Sequence, residues 1–108
     1  MKTTAIHRTI DGMVRRIVER FDPERVILFG SHARGVAGPD SDVDLLVVMP
    51  VSGSKREQQL EIRLALRGFP IAKDVVVTTP EEFARRQTIP GTIERPAARE
   101  GKLLYARS

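Results

Sequence analysis

There is no cysteine among the 108 residues, which excludes disulfides and thiolate metal sites. Histidine is nearly as scarce. His7 and His32 are the only two, too few for a zinc site of the usual donors, so any metal is expected on oxygen. Tryptophan is absent and aromatics make up 5% of the chain, which leaves little surface for stacking nucleic-acid bases. Long apolar runs are missing too. The longest, Leu45 to Met49, is followed by Pro50 and Val51, far short of the roughly 20 residues a membrane-spanning helix needs. The stretch from Met1 to Arg8 breaks into polar and charged residues before a signal-peptide core can form. A cytoplasmic protein with no membrane partner is expected.

What remains is 41% hydrophobic and 30% charged, the balance of a globular protein with one modest core. A single domain over residues 1–108 is expected. The net charge of +4, carried mostly by arginine, favours a polyanionic ligand: a nucleotide, a nucleic acid or an acidic protein face. Arg15-Arg16, Arg63, Arg67 and Arg85-Arg86 raise the nucleic-acid option. With so few aromatics they read instead as solvated helix faces or partner contacts.

Ile6, Ile10, Met13, Val14, Ile17, Val18 and Phe21 share one face at helical spacing, which predicts an amphipathic helix over about 4–20, stopped by Pro23. Arg25 to Phe29 is a short apolar run ending at Gly30, a buried strand. Ser31 to Arg34 starts a short helix, and Gly35 to Ser41 has loop chemistry. A second strand is expected from Asp42 to Met49. Ser54 is placed to cap a segment from Lys55 to Arg67 ending at Gly68. Leu60, Ile62, Leu64 and Leu66 alternate there as a strand would, but the helix formers around them favour helix. A third strand runs from about Ile71 to Val77. Thr79-Pro80-Glu81-Glu82 has the form of a helix start, giving a helix to about Gln87. Thr92 to Glu100 reads as a helix interrupted by Pro96, and Lys102 to Tyr105 as a last short strand. The order predicts an α/β (α+β) domain with a small mixed sheet flanked by helices.

Three features of this order bear chemistry. Gly30-Ser31 follows a buried strand, where glycine permits close backbone approach and the helix start leaves N–H groups and a hydroxyl facing outward. That suits phosphate, although an ordinary turn and cap has the same composition. Asp42 and Asp44 are two apart on a strand, so they share a face with Cα atoms roughly 6.5–7 Å apart, close enough to bridge two Mg²⁺ ions held about 3.5–4 Å from each other for in-line phosphoryl displacement. Asp42 also fits a turn after Pro39-Asp40-Ser41. Asp44 is harder to explain that way, because it precedes the buried run from Leu45 to Val48.

Asp74 opens the third strand and either completes a metal site or pairs with Lys73 or an arginine. Two carboxylates about 4 Å apart repel by roughly 4 kcal/mol at an effective dielectric near 20, so a cluster of three implies a bound cation or a nearby arginine, of which a divalent metal is the better answer. Arg34 is a phosphate clamp or a surface ion pair. Gly30-Ser31-His32-Ala33-Arg34-Gly35 has the glycine spacing of a P-loop but continues Val36-Ala37 where Lys and Ser/Thr are required, which rules out a Walker A motif.

Gly30-Ser31, ten intervening residues and Asp42-Val43-Asp44 resemble the signature of the DNA polymerase β nucleotidyltransferase superfamily. The version Gly-Ser-His-Ala-Arg-Gly is similar to that of the minimal nucleotidyltransferases (MNT), often encoded beside a HEPN-domain protein as the antitoxin of a toxin–antitoxin pair. The likeness continues through Asp74-Val75-Val76-Val77 and the tail from Gly91 to Tyr105. It implies a polymerase β-like fold with Gly30 and Ser31 binding the nucleotide, where Arg34 would join them if it is the phosphate clamp, and with Asp42, Asp44 and Asp74 as catalytic residues and ligands of two Mg²⁺ ions. It also implies ATP as the nucleoside triphosphate and transfer of AMP to a tyrosine hydroxyl of a HEPN toxin, a type VII-like antitoxin working in a hetero-oligomer with that toxin. Larger members of the superfamily carry a second domain for the acceptor, so a partner protein is expected to supply it.

Two rival readings are a binding module that neutralises the HEPN partner by occlusion, with dispensable carboxylates, and an enzyme that modifies a small molecule such as an antibiotic. The intact acidic triad disfavours the first, and the lack of an acceptor domain disfavours the second.

Overall fold

The apolar stripe near the amino terminus forms α1, Ala5–Phe21, and turns Ile10, Met13, Val14 and Ile17 into the core. The chain then passes Asp22, in a left-handed conformation at φ 48°, and Pro23 into β1, Arg25–Phe29. A four-residue helix α2, Ser31–Arg34, leads to β2, Val43–Val48. There follow α3 at Lys55–Ala65, β3 at Lys73–Thr78, α4 at Pro80–Arg86, α5 at Glu94–Glu100 and β4 at Lys102–Ala106. The computed structural model describes residues 5–38 and 40–108. The expected helix start at Thr4, the leader reading of Met1 to Thr4 and Pro39 of the expected loop lie outside the described residues.

The four strands form one mixed sheet in the order β3-β2-β1-β4. β1 is antiparallel to both neighbours, whereas β2 and β3 are parallel. Alternate residues of each strand point to opposite faces. On one face Val26, Leu28, Val43, Leu45, Val47, Val75 and Val77 pack against α1 and against Ile62 and Leu66. On the other, Ile27, Leu46 and Val48 pack against Phe83 of α4 and Ala97 of α5. The fold class expected from the sequence is the one observed.

Local chemistry explains the element ends. Ser54 accepts a hydrogen bond from Glu57 N at 3.0 Å and Thr79 one from Glu82 N at 3.1 Å, so both expected caps form. Ile62 of α3 and Leu66, which caps its end, face the core while Leu60 and Leu64, also four apart, face solvent. Two stripes on one helix thus produced the strand-like alternation. α5 is not interrupted at Pro96, because that residue lies in the first turn, where a missing N–H breaks no intrahelical bond. β2 begins at Val43 rather than Asp42, and β3 begins two residues and ends one residue later than expected.

α1 and α3 are tied by Arg16, whose Nη1 donates to Ala65 O at 3.0 Å while its guanidinium lies 4.9 Å from the centre of the Phe69 ring. Under α4 and α5, buried Thr78 donates to Glu94 Oε2 at 2.8 Å and Arg86 Nε donates to Glu94 Oε1 at 3.1 Å. Burial alone would push the Glu94 carboxyl up. The hydrogen bonds it accepts, with the Arg86 charge, outweigh burial and hold it below the usual carboxylate range.

A candidate nucleotidyl-transfer site at the start of strands two and three

Strand register brings together residues far apart in the sequence. Phe29, the last residue of β1, lies opposite Asp44, and Asp44 lies beside Asp74 on the parallel neighbour. Adjacent strands are roughly 4.8 Å apart, so these two carboxylates leave neighbouring backbones on the same face. They share that face with Leu46, Val48 and Val76, the residues that pack with α4 and α5. Asp44 and Asp74 are each the second residue of their strand. Asp42, just before β2, is exposed; Asp44 is half-buried.

Gly30 turns the chain from β1 into α2 at φ 77° and ψ −156°, a region open essentially to glycine alone. The absent side chain matters as much as the dihedral angles. A Cβ on Gly30 would collide with Asp44 Oδ2, so the carboxylate occupies space that only glycine leaves free. Gly30 O accepts from Ala33 N and Arg34 N at 3.1 Å each. The N–H groups at the start of α2, Ser31 first among them, are those a helix cannot satisfy internally. Gly30, Ser31 and Asp44 therefore meet at one corner.

The loop into Asp42 is fixed from both sides. Ser41 Oγ accepts from Gly38 N at 2.9 Å, and the Ser41 carbonyl accepts from His32 Nε2 at 3.1 Å. His32, to which the sequence assigned no role, thus ties α2 to the residue before Asp42. A cleft of about 590 Å³, lined in part by His32, Gly38, Ser41, Ile71 and Ala72, opens beside this corner. Its size is that of small-molecule sites.

Electrostatics single out Asp44. Burial pushes its carboxyl up, and the charges of Asp74 and Asp42 push it further; His32 and Arg34 oppose them. Asp74 is paired, with Arg63 Nη2 donating to its Oδ1 at 2.5 Å. Lys73, the other partner considered for it, is turned away, donating to Phe69 O at 2.9 Å and Ile71 O at 3.0 Å. Arg34 reaches only Glu100, 3.9 Å away, with both side chains about half exposed. Such a pair is weak.

Among the described residues, no three His, Cys, Asp or Glu side chains are gathered closely enough to hold a metal ion as they stand. The reason lies in the geometry above: Asp42 is on the exposed approach to β2, and Asp74 is held by Arg63. The donor set nonetheless fits a hard divalent cation. It is all carboxylate, and Asp44 carries a destabilised negative charge between two like charges, the imbalance such a cation removes. Among the described residues no helix is long and apolar enough to cross a membrane.

Known proteins resemble the chain in sequence and in fold. Residues 10–100 match the family model of the nucleotidyltransferase domain. Over 55 residues the chain is 38% identical to the putative protein adenylyltransferase MJ0141 of Methanocaldococcus jannaschii, a match covering 51% of this chain and 54% of that protein; it spans about half of the relative's length. Among solved structures, a putative nucleotidyltransferase from Sulfolobus solfataricus superposes with a TM-score of 0.67 at 22% identity, over 93% of this chain and 79% of that one. A toxin-antitoxin crystallised with AMP-PNP superposes with a TM-score of 0.54 at 18% identity, over 91% and 74% of the two chains. A mutant of the toxin-antitoxin MntA-HpeT gives 0.54 at 15%, over 91% and 73%. At these identities the structures speak to the fold. The family match takes in everything from the core of α1 to the end of α5, with Gly30, Ser31, Asp42, Asp44 and Asp74 inside it, and so the chain belongs to the nucleotidyltransferase domain family.

Proposed function

We propose that this member of the nucleotidyltransferase domain family is an active enzyme, a Mg²⁺-dependent protein adenylyltransferase that moves AMP from ATP to a hydroxyl, a tyrosine of a HEPN-domain toxin, and serves as that toxin's antitoxin in the cytoplasm. The observation that carries the reading is the corner where Asp44 fills the space left by Gly30, with Asp42 before it and Asp74 in register beside it. Support for the nucleotide and the partner comes from the kinds of protein it resembles, one named an adenylyltransferase and others solved as toxin-antitoxin complexes.

In this reading the N–H groups at Gly30-Ser31 receive the triphosphate, with Arg34 available to it once released from its weak pair with Glu100. Asp42, Asp44 and Asp74 would hold Mg²⁺, which when bound neutralises phosphate charge and supports departure of pyrophosphate. The acceptor oxygen forms a bond to the α-phosphorus as the bond from that phosphorus to the bridging oxygen of pyrophosphate breaks. The hydroxyl proton passes to Asp74. A glycine at 30 keeps Asp44 where no other residue would let it stand, so geometry rather than covalent chemistry is the chain's main contribution.

The deciding experiment measures intact mass of a co-expressed HEPN partner after incubation with Mg-ATP, using wild type and the Asp42→Ala/Asp44→Ala variant. Added AMP that disappears with the variant supports the proposal. A tight complex without added mass would refute it in favour of neutralisation by occlusion.

A further inference from the structure

The element of the site that the family-like motif leaves out is on α3. That helix packs on the sheet face opposite the carboxylates, yet it sends two side chains round the free edge of β3. Gln59 Oε1 accepts from Val77 N at 2.9 Å. One turn later, Arg63 Nη2 donates to Asp74 Oδ1 and, at 3.3 Å, to the carbonyl of Val75. A single nitrogen thus joins the carboxylate to the backbone beside it. One oxygen of Asp74 is engaged and the other is left for a ligand. Because the Val75 carbonyl belongs to the sheet, the guanidinium fixes Asp74 relative to the strand that lies in register with Asp44.

We propose that Arg63 is a positioning residue for nucleotidyl transfer, holding Asp74 so that its second oxygen and the Asp44 carboxylate are presented to one divalent cation. The inference rests on the function proposed above and extends it to a residue outside the Gly-Ser and Asp-Val-Asp motifs. The geometry makes a claim of opposite sign to simple electrostatics. A cation near a metal site repels the metal, so removing Arg63 for its charge alone should tighten metal binding. Removing an orienting partner of a metal-binding carboxylate typically weakens metal affinity by about 10–100-fold. The sign of the change therefore separates positioning from mere charge.

The test titrates the full chain with Mn²⁺ followed by electron paramagnetic resonance, which needs no acceptor and no turnover. Arg63→Met keeps the stem and removes the donor. Its affinity for Mn²⁺ should fall about tenfold, Arg63→Lys should recover most of the loss, and Arg63→Met should cost nothing further in an Asp74→Asn background. In AMP transfer, the loss should appear in kcat, with KM for ATP nearly unchanged, because Arg63 does not face the triphosphate corner. Unchanged or tighter Mn²⁺ binding by Arg63→Met, while Asp74→Asn binds more weakly than wild type, would overturn the role of Arg63 and leave the carboxylate site standing. If wild type and Asp42→Ala/Asp44→Ala bind Mn²⁺ equally poorly, the metal reading itself fails, and the role of Arg63 falls with it. Arg63 is about half exposed, and thermal melts of each variant show whether the fold is intact.

Discussion

Replacing Gly30 by alanine puts the central geometric claim at risk. Two costs arise together. The backbone at φ 77° and ψ −156° is strained for any residue with a Cβ by about 1–3 kcal/mol. The new methyl group would also overlap Asp44 Oδ2, and rotating the carboxylate does not clear it, since Asp44 Cγ and Cβ lie only 3.2 and 3.4 Å from the same point. The Asp44 side chain must therefore shift as well as turn. At about 4–8 °C per kcal/mol for a domain of this size, the strain alone lowers the melting temperature by roughly 5–20 °C. A shift of about 1 Å at a reacting group costs about 100-fold in rate.

Gly35→Ala is the matched control. Gly35 is also at positive φ, 74°, but a Cβ there meets nothing within 4 Å. It should lose stability and keep transfer activity, measured with ATP labelled at the α-phosphate at a temperature where both variants are folded. A folded Gly30→Ala protein with the rate of wild type would refute the account.

Other expectations follow from the charges. Thr78→Val leaves Glu94 Oε2 without its partner and should destabilise by about 1.5–3 kcal/mol, the range for hydrogen bonds to charged groups, measured by urea denaturation; the effect should not add in full to that of Glu94→Ala, because both remove the same contact. Glu94 is held below its ordinary value of 4.5, so the native state binds its proton less readily than the unfolded chain. Its stabilising contribution is complete above that value and lost as pH falls through the folded pKa, and Glu94→Gln should flatten the acid limb of a stability–pH curve. Asp44 has the opposite sign: its carboxyl is raised above 3.8, so metal-free protein should lose stability as pH rises through the folded pKa. Asp44→Asn should accordingly melt above wild type in EDTA while abolishing transfer, and a variant no more stable than wild type there would contradict the crowded-carboxylate picture. Added Mg²⁺ should raise the melting temperature of wild type and leave that of Asp44→Asn unchanged.

Much of this was legible in the chain because short-range chemistry decided it. The runs Arg25 to Phe29 and Leu45 to Val48 are too apolar for anything but buried strands, and Ser54 and Thr79 announce helices whose first turns they cap. That Gly30 and Asp44 serve one site was implied by the family resemblance the Gly-Ser and Asp-Val-Asp motifs carry, but the reason for glycine was not. That reason is a collision between positions on two antiparallel strands, visible only once Phe29 is paired with Asp44. Asp74 was placed on its strand, whereas its partner was left between Lys73 and an arginine. The choice depended on α3 reaching round an edge strand, and no local pattern encodes which strand is the edge. The alternating leucines of α3 misdirect for a related reason: Leu60 and Leu64 owe nothing to the core, and binary patterning cannot tell an exposed leucine from a buried one. His32 donating to Ser41 left no trace in spacing or composition.

The hydrogen bond from Val77 to Gln59 makes one backbone amide a spectroscopic witness. In an uncovered edge strand that N–H would face water and exchange its hydrogen quickly; here it is shielded by a side chain from a different element. Its protection is set by the opening of α3 away from the strand rather than by separation of β2 from β3. Because Arg63 leaves the same helix one turn later, the exchange rate at this amide measures, in solution and without any ligand, how often the hold on Asp74 is free to let go.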